Sequence, residues 1–208
     1  MKTILIAGLG NPGKEYQFTR HNIGFRILDN WLMNLSLQHS NCSCQWENSR
    51  KHQAEINQFT LEDKKIILVK PQTFMNKSGE SIASLSHYYK IDSENILIIH
   101  DDLSFPLGNF KLAIGAGPAG HNGVKSIIEK LGTKNFGRLR VGISAPLGSC
   151  PVKHQGGHNF VLGQFTKKEE EIITELLPTT NKILDYYIFN GIQSAMNEFN
   201  ETNIRNNL

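Results

Sequence analysis

Side chains able to move a proton or hold a carbonyl stand just after apolar runs at four places in this chain. Asn11 and His21 follow Ile4–Ala7, and Asn76 follows Lys65–Val69 within Pro71-Gln-Thr-Phe-Met-Asn-Lys-Ser-Gly79. His100-Asp101-Asp102 follows Ile96–Ile99, and His121-Asn122-Gly123 closes a glycine-rich stretch that begins at Gly115. A neutral histidine takes a proton from water near pH 7. An aspartate on its other ring nitrogen fixes the tautomer and stabilises the imidazolium that forms. Asparagine amides donate to an oxyanion or hold a substrate carbonyl. Gly-x-Ser-x-Gly is absent, so no serine stands in a nucleophile elbow and water is the natural nucleophile. The chemistry implied is hydrolysis by a histidine-activated water.

The elements that must carry these residues follow from periodicity. Ile23, Ile27, Leu28, Trp31, Leu32 and Leu35 mark a helix. Residues 39–53 read as irregular. Ala54–Phe59 and Lys65–Val69 read as strands about a turn at Glu62-Asp63, with Pro71 ending the second. Ser78–Tyr89 reads as a helix, Ile96–Ile99 as a strand buried on both faces, and Phe110–Ile114 as a further strand. Val124–Leu131 reads as a helix, Leu139–Ile143 as a strand and 144–158 as a loop. Helices are expected from Lys167 to Leu177 and again, after Pro178, to about Asn200. Strands separated by helices imply a single-domain, three-layer α/β/α fold with a mixed, largely parallel central sheet. In such sheets sites collect at the carboxyl ends of strands. One His–Asp pair and three amides are thereby expected around one crevice.

Composition narrows the class. A chain of 208 residues, 39% hydrophobic and 20% charged, is long enough for one domain over residues 1–208, with an ordered core from about 3 to 200. The net charge of +3 does not by itself diagnose nucleic-acid binding. Its distribution is uneven. Lys111, Lys125, Lys130, Lys134, Arg138 and Arg140 face a single acid, Glu129, within one stretch, which reads as a solvated basic face or as an anion-binding surface. Three cysteines, Cys42, Cys44 and Cys150, have no disulfide-scaffold spacing and fit a reducing compartment. Cys42 and Cys44 with His39 and His52 have poor spacing for zinc. No apolar run approaches the ~20 residues of a membrane span. The short apolar start lacks an A-x-A-like cleavage site, so a cytoplasmic protein is expected. Gly8-Leu-Gly-Asn-Pro-Gly13 formally matches a dinucleotide fingerprint, yet no helix opens at once and no second strand delivers an acid, so that reading fails on context.

Several longer motifs occur in one order. They are Gly8-Leu-Gly-Asn-Pro-Gly13 with Tyr16, Thr19-Arg-His-Asn22, Lys70-Pro-Gln-Thr-Phe-Met-Asn76-x-Ser-Gly79, His100-Asp-Asp102 and Gly120-His-Asn-Gly123. Phe136-x-Arg-Leu-Arg-Val-Gly-Ile143 and Phe160-Val-Leu162 follow. Over residues 3 to 200 the chain resembles the bacterial-type peptidyl-tRNA hydrolases. The resemblance implies an esterase that cleaves the bond between a peptide and the terminal ribose of tRNA, with tRNA as partner, a monomeric state, and no metal or cofactor. It implies His21 as general base, Asp101 as its orienting carboxylate and Asn11 as a contact near the ester. It assigns Asn76 and Asn122 to the peptide main chain and the attacking water, and Tyr16 and Met75 to the same crevice. Lys111 and Arg140 match a basic pair for the tRNA 5′-phosphate. The chain departs from the pattern at Ser104, at Ala116, Pro118 and Ala119, and at Cys150–His158; Pro118 is expected to stiffen its loop. Two other classes compete: a non-catalytic RNA-binding protein of the same fold, and a metal-dependent hydrolase using His100, Asp101, Asp102 and His121. The second asks neighbouring strand residues, which point to opposite faces, to converge.

Overall fold

A computed structural model describes residues 1–144 and 157–205. Among them seven strands form one sheet in the order β2-β3-β4-β1-β5-β7-β6. They are β1 (Lys2–Gly8), β2 (Glu47–Ser49), β3 (Ala54–Leu61), β4 (Lys64–Pro71), β5 (Ile96–Pro106), β6 (Phe110–Ile114) and β7 (Gly137–Ser144). β1 runs parallel to β4 and β5, and β5 parallel to β7, whereas the β2–β3, β3–β4 and β6–β7 pairs are antiparallel. The helices are α1 (Ile23–Gln38), α2 (Ser78–Tyr89), α3 (Asn122–Leu131), α4 (Gly157–Val161) and α5 (Lys167–Arg205).

The central strands β1, β4 and β5 carry continuous apolar runs, at 4–7, 66–69 and 96–99, because each face carries helices. Ile4, Ile6, Ile66, Leu68, Leu97 and Ile99 join Trp31, Leu32, Ile183 and Leu184 of α1 and α5 in one core. Leu5, Ala7, Ile67, Val69, Ile96 and Ile98 join Ile82, Leu85, Val124 and Ile127 of α2 and α3 in the other. Period-two alternation thus feeds two cores, the arrangement expected of a sheet covered on both sides. Truncating any of these buried isoleucines or leucines to alanine costs about 2–5 kcal/mol.

Two glycines set the spacing of elements around the crevice. A Cβ on Gly24, in the first turn of α1, would lie 2.4 Å from the Ile99 carbonyl oxygen and 2.5 Å from the Leu9 nitrogen. A Cβ on Gly79, in α2, would lie 2.2 Å from the Ser126 carbonyl oxygen of α3. Both obstacles are backbone, so only glycine lets α1 seat on the strand ends and α2 cross α3 this closely.

Three expectations need correction. β5 does not stop at Ile99 but continues to Pro106, because His100, Asp101 and Asp102 pair with Arg140, Val141 and Gly142 of β7. A hydrophobic pattern cannot show a strand whose polar side chains are satisfied by partners. Residues 39–53 are not wholly irregular: β2 and a 3₁₀ turn at Arg50–His52 lie there. α5 passes through Pro178 and departs from helical geometry at Gly191 instead (φ 75°, ψ 176°). A proline forfeits a backbone hydrogen bond, but Leu176, Thr180 and Ile183 hold that stretch buried. The loop expected at 144–158 falls almost wholly outside the described residues, with Cys150 and His154; its end, Gly157 and His158, opens α4.

Candidate active site

The parallel strands β1, β4 and β5 deliver their carboxyl ends to one edge of the sheet. After β1, the Leu9 nitrogen donates to the Ile99 carbonyl at 2.9 Å and pins the turn against β5. Asn22 then clasps the backbone of Asn11: its Oδ1 accepts from the Asn11 nitrogen and its Nδ2 donates to the Asn11 oxygen, both at 2.9 Å. Asn11 in turn uses Oδ1 to accept from the Met75 nitrogen at 2.8 Å, which leaves its Nδ2 without an acceptor among the described residues. Arg20, on the other flank of His21, is buried. It donates to the Gln164 carbonyl at 2.8 Å and makes a forked contact to Glu169 at 2.9 and 3.1 Å. His21 is therefore held between two fixed neighbours in a 3₁₀ turn, Arg20–Asn22.

His21 Nδ1 lies 2.8 Å from Asp101 Oδ1. A carboxylate there keeps the proton on Nδ1 and leaves the Nε2 lone pair as the base. His121 Nε2 approaches the same oxygen at 3.0 Å. Its tautomer is set from behind, because His121 Nδ1 caps α3 by accepting from the Gly123 and Val124 nitrogens at 3.1 and 3.3 Å. The proton must then sit on Nε2 and point at Asp101. Burial opposes ionisation of Asp101, but the charges of His121 and His21 and their hydrogen bonds outweigh it and hold this carboxyl well below the usual carboxylate range.

His21, Asp101 and His121 bring three potential metal donors within 4.8 Å. The donor set does not fit a cation. A metal on His121 Nε2 would force a proton onto Nδ1, facing the two backbone N–H groups it now accepts from. Asp102 is committed to the Ser104 nitrogen and Arg140, and His100 Nδ1 to the Asp101 carbonyl, so these two do not join the cluster. Burial, then the charge of His121, pushes His100 down to about 3, which leaves it neutral. Among the described residues Cys42, Cys44, His39 and His52 form no metal-binding group.

Two cavities meet at His21 and Asn122. One, of about 300 Å³, is lined by Asn11, Tyr16, His21, Phe74, Met75, Asn76, Asn122 and Leu162. It gathers six of the residues singled out in the sequence. The other, of about 230 Å³, is lined by Asp101, Asp102, Leu103, His121 and the loop residues Ala119 and Gly120, together with His21 and Asn122. The loop closes in a turn in which the His121 nitrogen donates to the Pro118 carbonyl at 2.9 Å, with Ala119 at φ 48°. Lys111 and Arg140 stand apart from both cavities' walls but directly opposite each other in the β6–β7 register. Arg138 is not part of the basic face. It is 1% exposed and donates Nη1 to the Gly117 carbonyl at 2.9 Å, tethering the glycine loop.

Four contributors were missed as site residues. Phe74 and Leu162 line the first cavity, His121 fixes Asp101, and Asn22 holds Asn11. Phe74, His121 and Asn22 lie inside motifs already visible, next to residues that were assigned; their roles depend on three-dimensional contacts that spacing does not reveal.

A family model described as peptidyl-tRNA hydrolase matches residues 5–207. The chain is 37% identical over 201 residues to the peptidyl-tRNA hydrolase of Clostridium perfringens (strain 13 / Type A), covering 97% of this chain and 99% of that protein. It is 42% identical over 196 residues to that of Lawsonia intracellularis, covering 94% and 92%. Among solved structures, peptidyl-tRNA hydrolase from Acinetobacter baumannii is similar, with a TM-score of 0.78 and 33% identity over 94% of this chain and 93% of that one. With the model match spanning nearly its whole length, the chain belongs to the peptidyl-tRNA hydrolase family.

Proposed function

We propose that this protein hydrolyses the ester joining a peptide, or an N-blocked amino acid, to the 3′-terminal ribose of tRNA, and that one domain over residues 1–208 does so. The observation that carries the reading is the position of His21, oriented by Asp101, at the junction of two cavities that also share Asn122. An ester is a junction of the same kind. The peptide occupies the cavity of Tyr16, Phe74, Met75 and Asn76, and the terminal nucleoside occupies the cavity of Leu103 and Gly120. Water between them loses a proton to His21 Nε2 as its oxygen attacks the ester carbonyl carbon. Asp101 stabilises the imidazolium, the Asn11 amide donates to the oxyanion, and Asn76 and Asn122 hold the peptide main chain and the attacking water. Collapse of the tetrahedral intermediate expels the ribose oxygen, which recovers the proton from His21 and leaves as a hydroxyl. The peptide leaves as a carboxylic acid.

Lys111 and Arg140 supply the tRNA phosphate contact in this reading. Among the described residues no helix is long and apolar enough to cross a membrane; the protein acts as a monomer in the cytoplasm, where its substrate forms. A non-catalytic RNA-binding role does not account for a complete base, carboxylate and amide set around one junction. The test is release of an N-acetylated amino acid from tRNA by the purified protein. Release with multiple turnovers supports the reading, and tight binding of the substrate without release refutes it.

A further inference from the structure

Asp101 and Asp102 are consecutive on β5 and do different work. Asp101 meets the two histidines, whereas Asp102 turns to β7, where its Oδ2 accepts from Arg140 Nε at 2.7 Å. Its Oδ1 accepts from the Ser104 nitrogen at 2.8 Å, so both oxygens of this buried carboxylate are fixed. Arg140 is thereby held by the edge that carries Nε, with its guanidinium 4.9 Å above the Phe105 ring. Its two Nη amino groups have no hydrogen-bond acceptor among the described residues, and Lys111 stands opposite. A guanidinium gripped at Nε and stacked on a ring has only its Nη fork left to offer, and that fork matches two phosphate oxygens. Asp102 also forms part of the wall of the cavity shared with His21 and Asn122.

We propose that Asp102 is a positioning residue: it aims the Arg140 fork at the tRNA 5′-phosphate and keeps that contact in register with the ester cavity, through one backbone step to Asp101. The inference rests on the phosphate-clamp reading of Arg140 and Lys111. A merely structural carboxylate would affect every substrate alike. A positioning carboxylate affects only the substrate that carries the phosphate.

The experiment measures KM for N-acetyl-aminoacyl-tRNA with its 5′-phosphate and for the same tRNA dephosphorylated at the 5′ end. For the parent protein the dephosphorylated substrate is expected to show the higher KM. In Asp102→Asn the preference for phosphorylated substrate is expected to fall by about 5–10-fold, the scale of one net hydrogen bond. Asp102→Glu, which keeps the charge but displaces it by one methylene, is expected to fall between the two and serves as the readout if the asparagine variant does not fold. In an Arg140→Ala background, Asp102→Asn should change the ratio no further. An unaltered ratio in both Asp102 variants overturns the inference, as does an equal loss on the two substrates. If Arg140→Ala itself leaves the ratio at the parental value, the phosphate clamp fails and the role of Asp102 falls with it; if only the Asp102 variants leave it there, the clamp stands and the positioning role alone is refuted.

Discussion

Replacing Asp101 by Asn tests how much of the chemistry flows through one buried carboxylate. Asp101 Oδ1 accepts from His21 at 2.8 Å and from His121 at 3.0 Å, and the residue is 2% exposed. The charge matters most when His21 has taken the proton. At an effective dielectric of about 20 and a charge separation of about 4 Å, the imidazolium–carboxylate attraction is about 4 kcal/mol. An asparagine oxygen retains part of the hydrogen bonding, which recovers about 1 kcal/mol. The remainder corresponds to a fall in kcat of about 10²–10³. The measurement is single-turnover release of an N-acetylated amino acid from tRNA under excess enzyme, with circular dichroism to confirm the fold. Because Asp101 acts through His21, the Asp101→Asn/His21→Ala double variant should be no slower than His21→Ala alone. A variant that keeps more than about a third of the parental rate would refute the reasoning. So would losses that multiply in the double variant.

Gly79→Ala should destabilise the protein by about 1–3 kcal/mol, because a Cβ 2.2 Å from the Ser126 carbonyl oxygen forces α2 and α3 apart. A thermal melt should fall by about 3–10 °C, and an unchanged melting temperature would show that the helices separate freely. Asn122→Ala should cost more activity on N-blocked than on unblocked substrates, since an amide partner is lost only with the former; equal losses would contradict the role given to Asn122. Acid stability follows from the carboxyls. Despite their burial, Asp101, through the two histidines, and Asp102, through Arg140 and Ser104, are held below the usual carboxylate range in the folded state. Their stabilisation is complete above the unfolded value of about 4 and is lost as pH falls through the folded values. Chemical denaturation at pH 5 and at pH 3 should therefore show a larger stability loss in the parent than in Asp101→Asn, and equal losses would contradict the shift.

Apolar periodicity makes most of the fold legible in the sequence. The helix at Ser78–Tyr89 and the strand at Phe110–Ile114 coincide with the structure at both ends, because each has a clean pattern and a clear terminator. The failures share a cause. Beyond Ile99, β5 is extended by polar residues whose partners lie on β7, and Pro178 is carried inside α5 by packing that a local rule cannot see. The first cavity gathers Asn11, Tyr16, His21, Met75, Asn76 and Asn122, residues from separate motifs. His121 was visible as a residue but not as a partner of Asp101, since its role depends on the capping of α3. Arg138 illustrates the converse: a basic residue counted toward a charged face is buried as a tether for Gly117.

His21 is the proposed base for attack of water on the ester of peptidyl-tRNA. The most direct measurement compares parent and His21→Ala proteins in release of an N-acetylated amino acid from intact tRNA, with substrate affinity measured separately on each. The parent is expected to release the amino acid over multiple turnovers, and His21→Ala to lose about 10²–10⁴ in kcat, the range for a missing general base, with affinity for the tRNA retained. Near-parental turnover by a folded His21→Ala protein would contradict this role of His21.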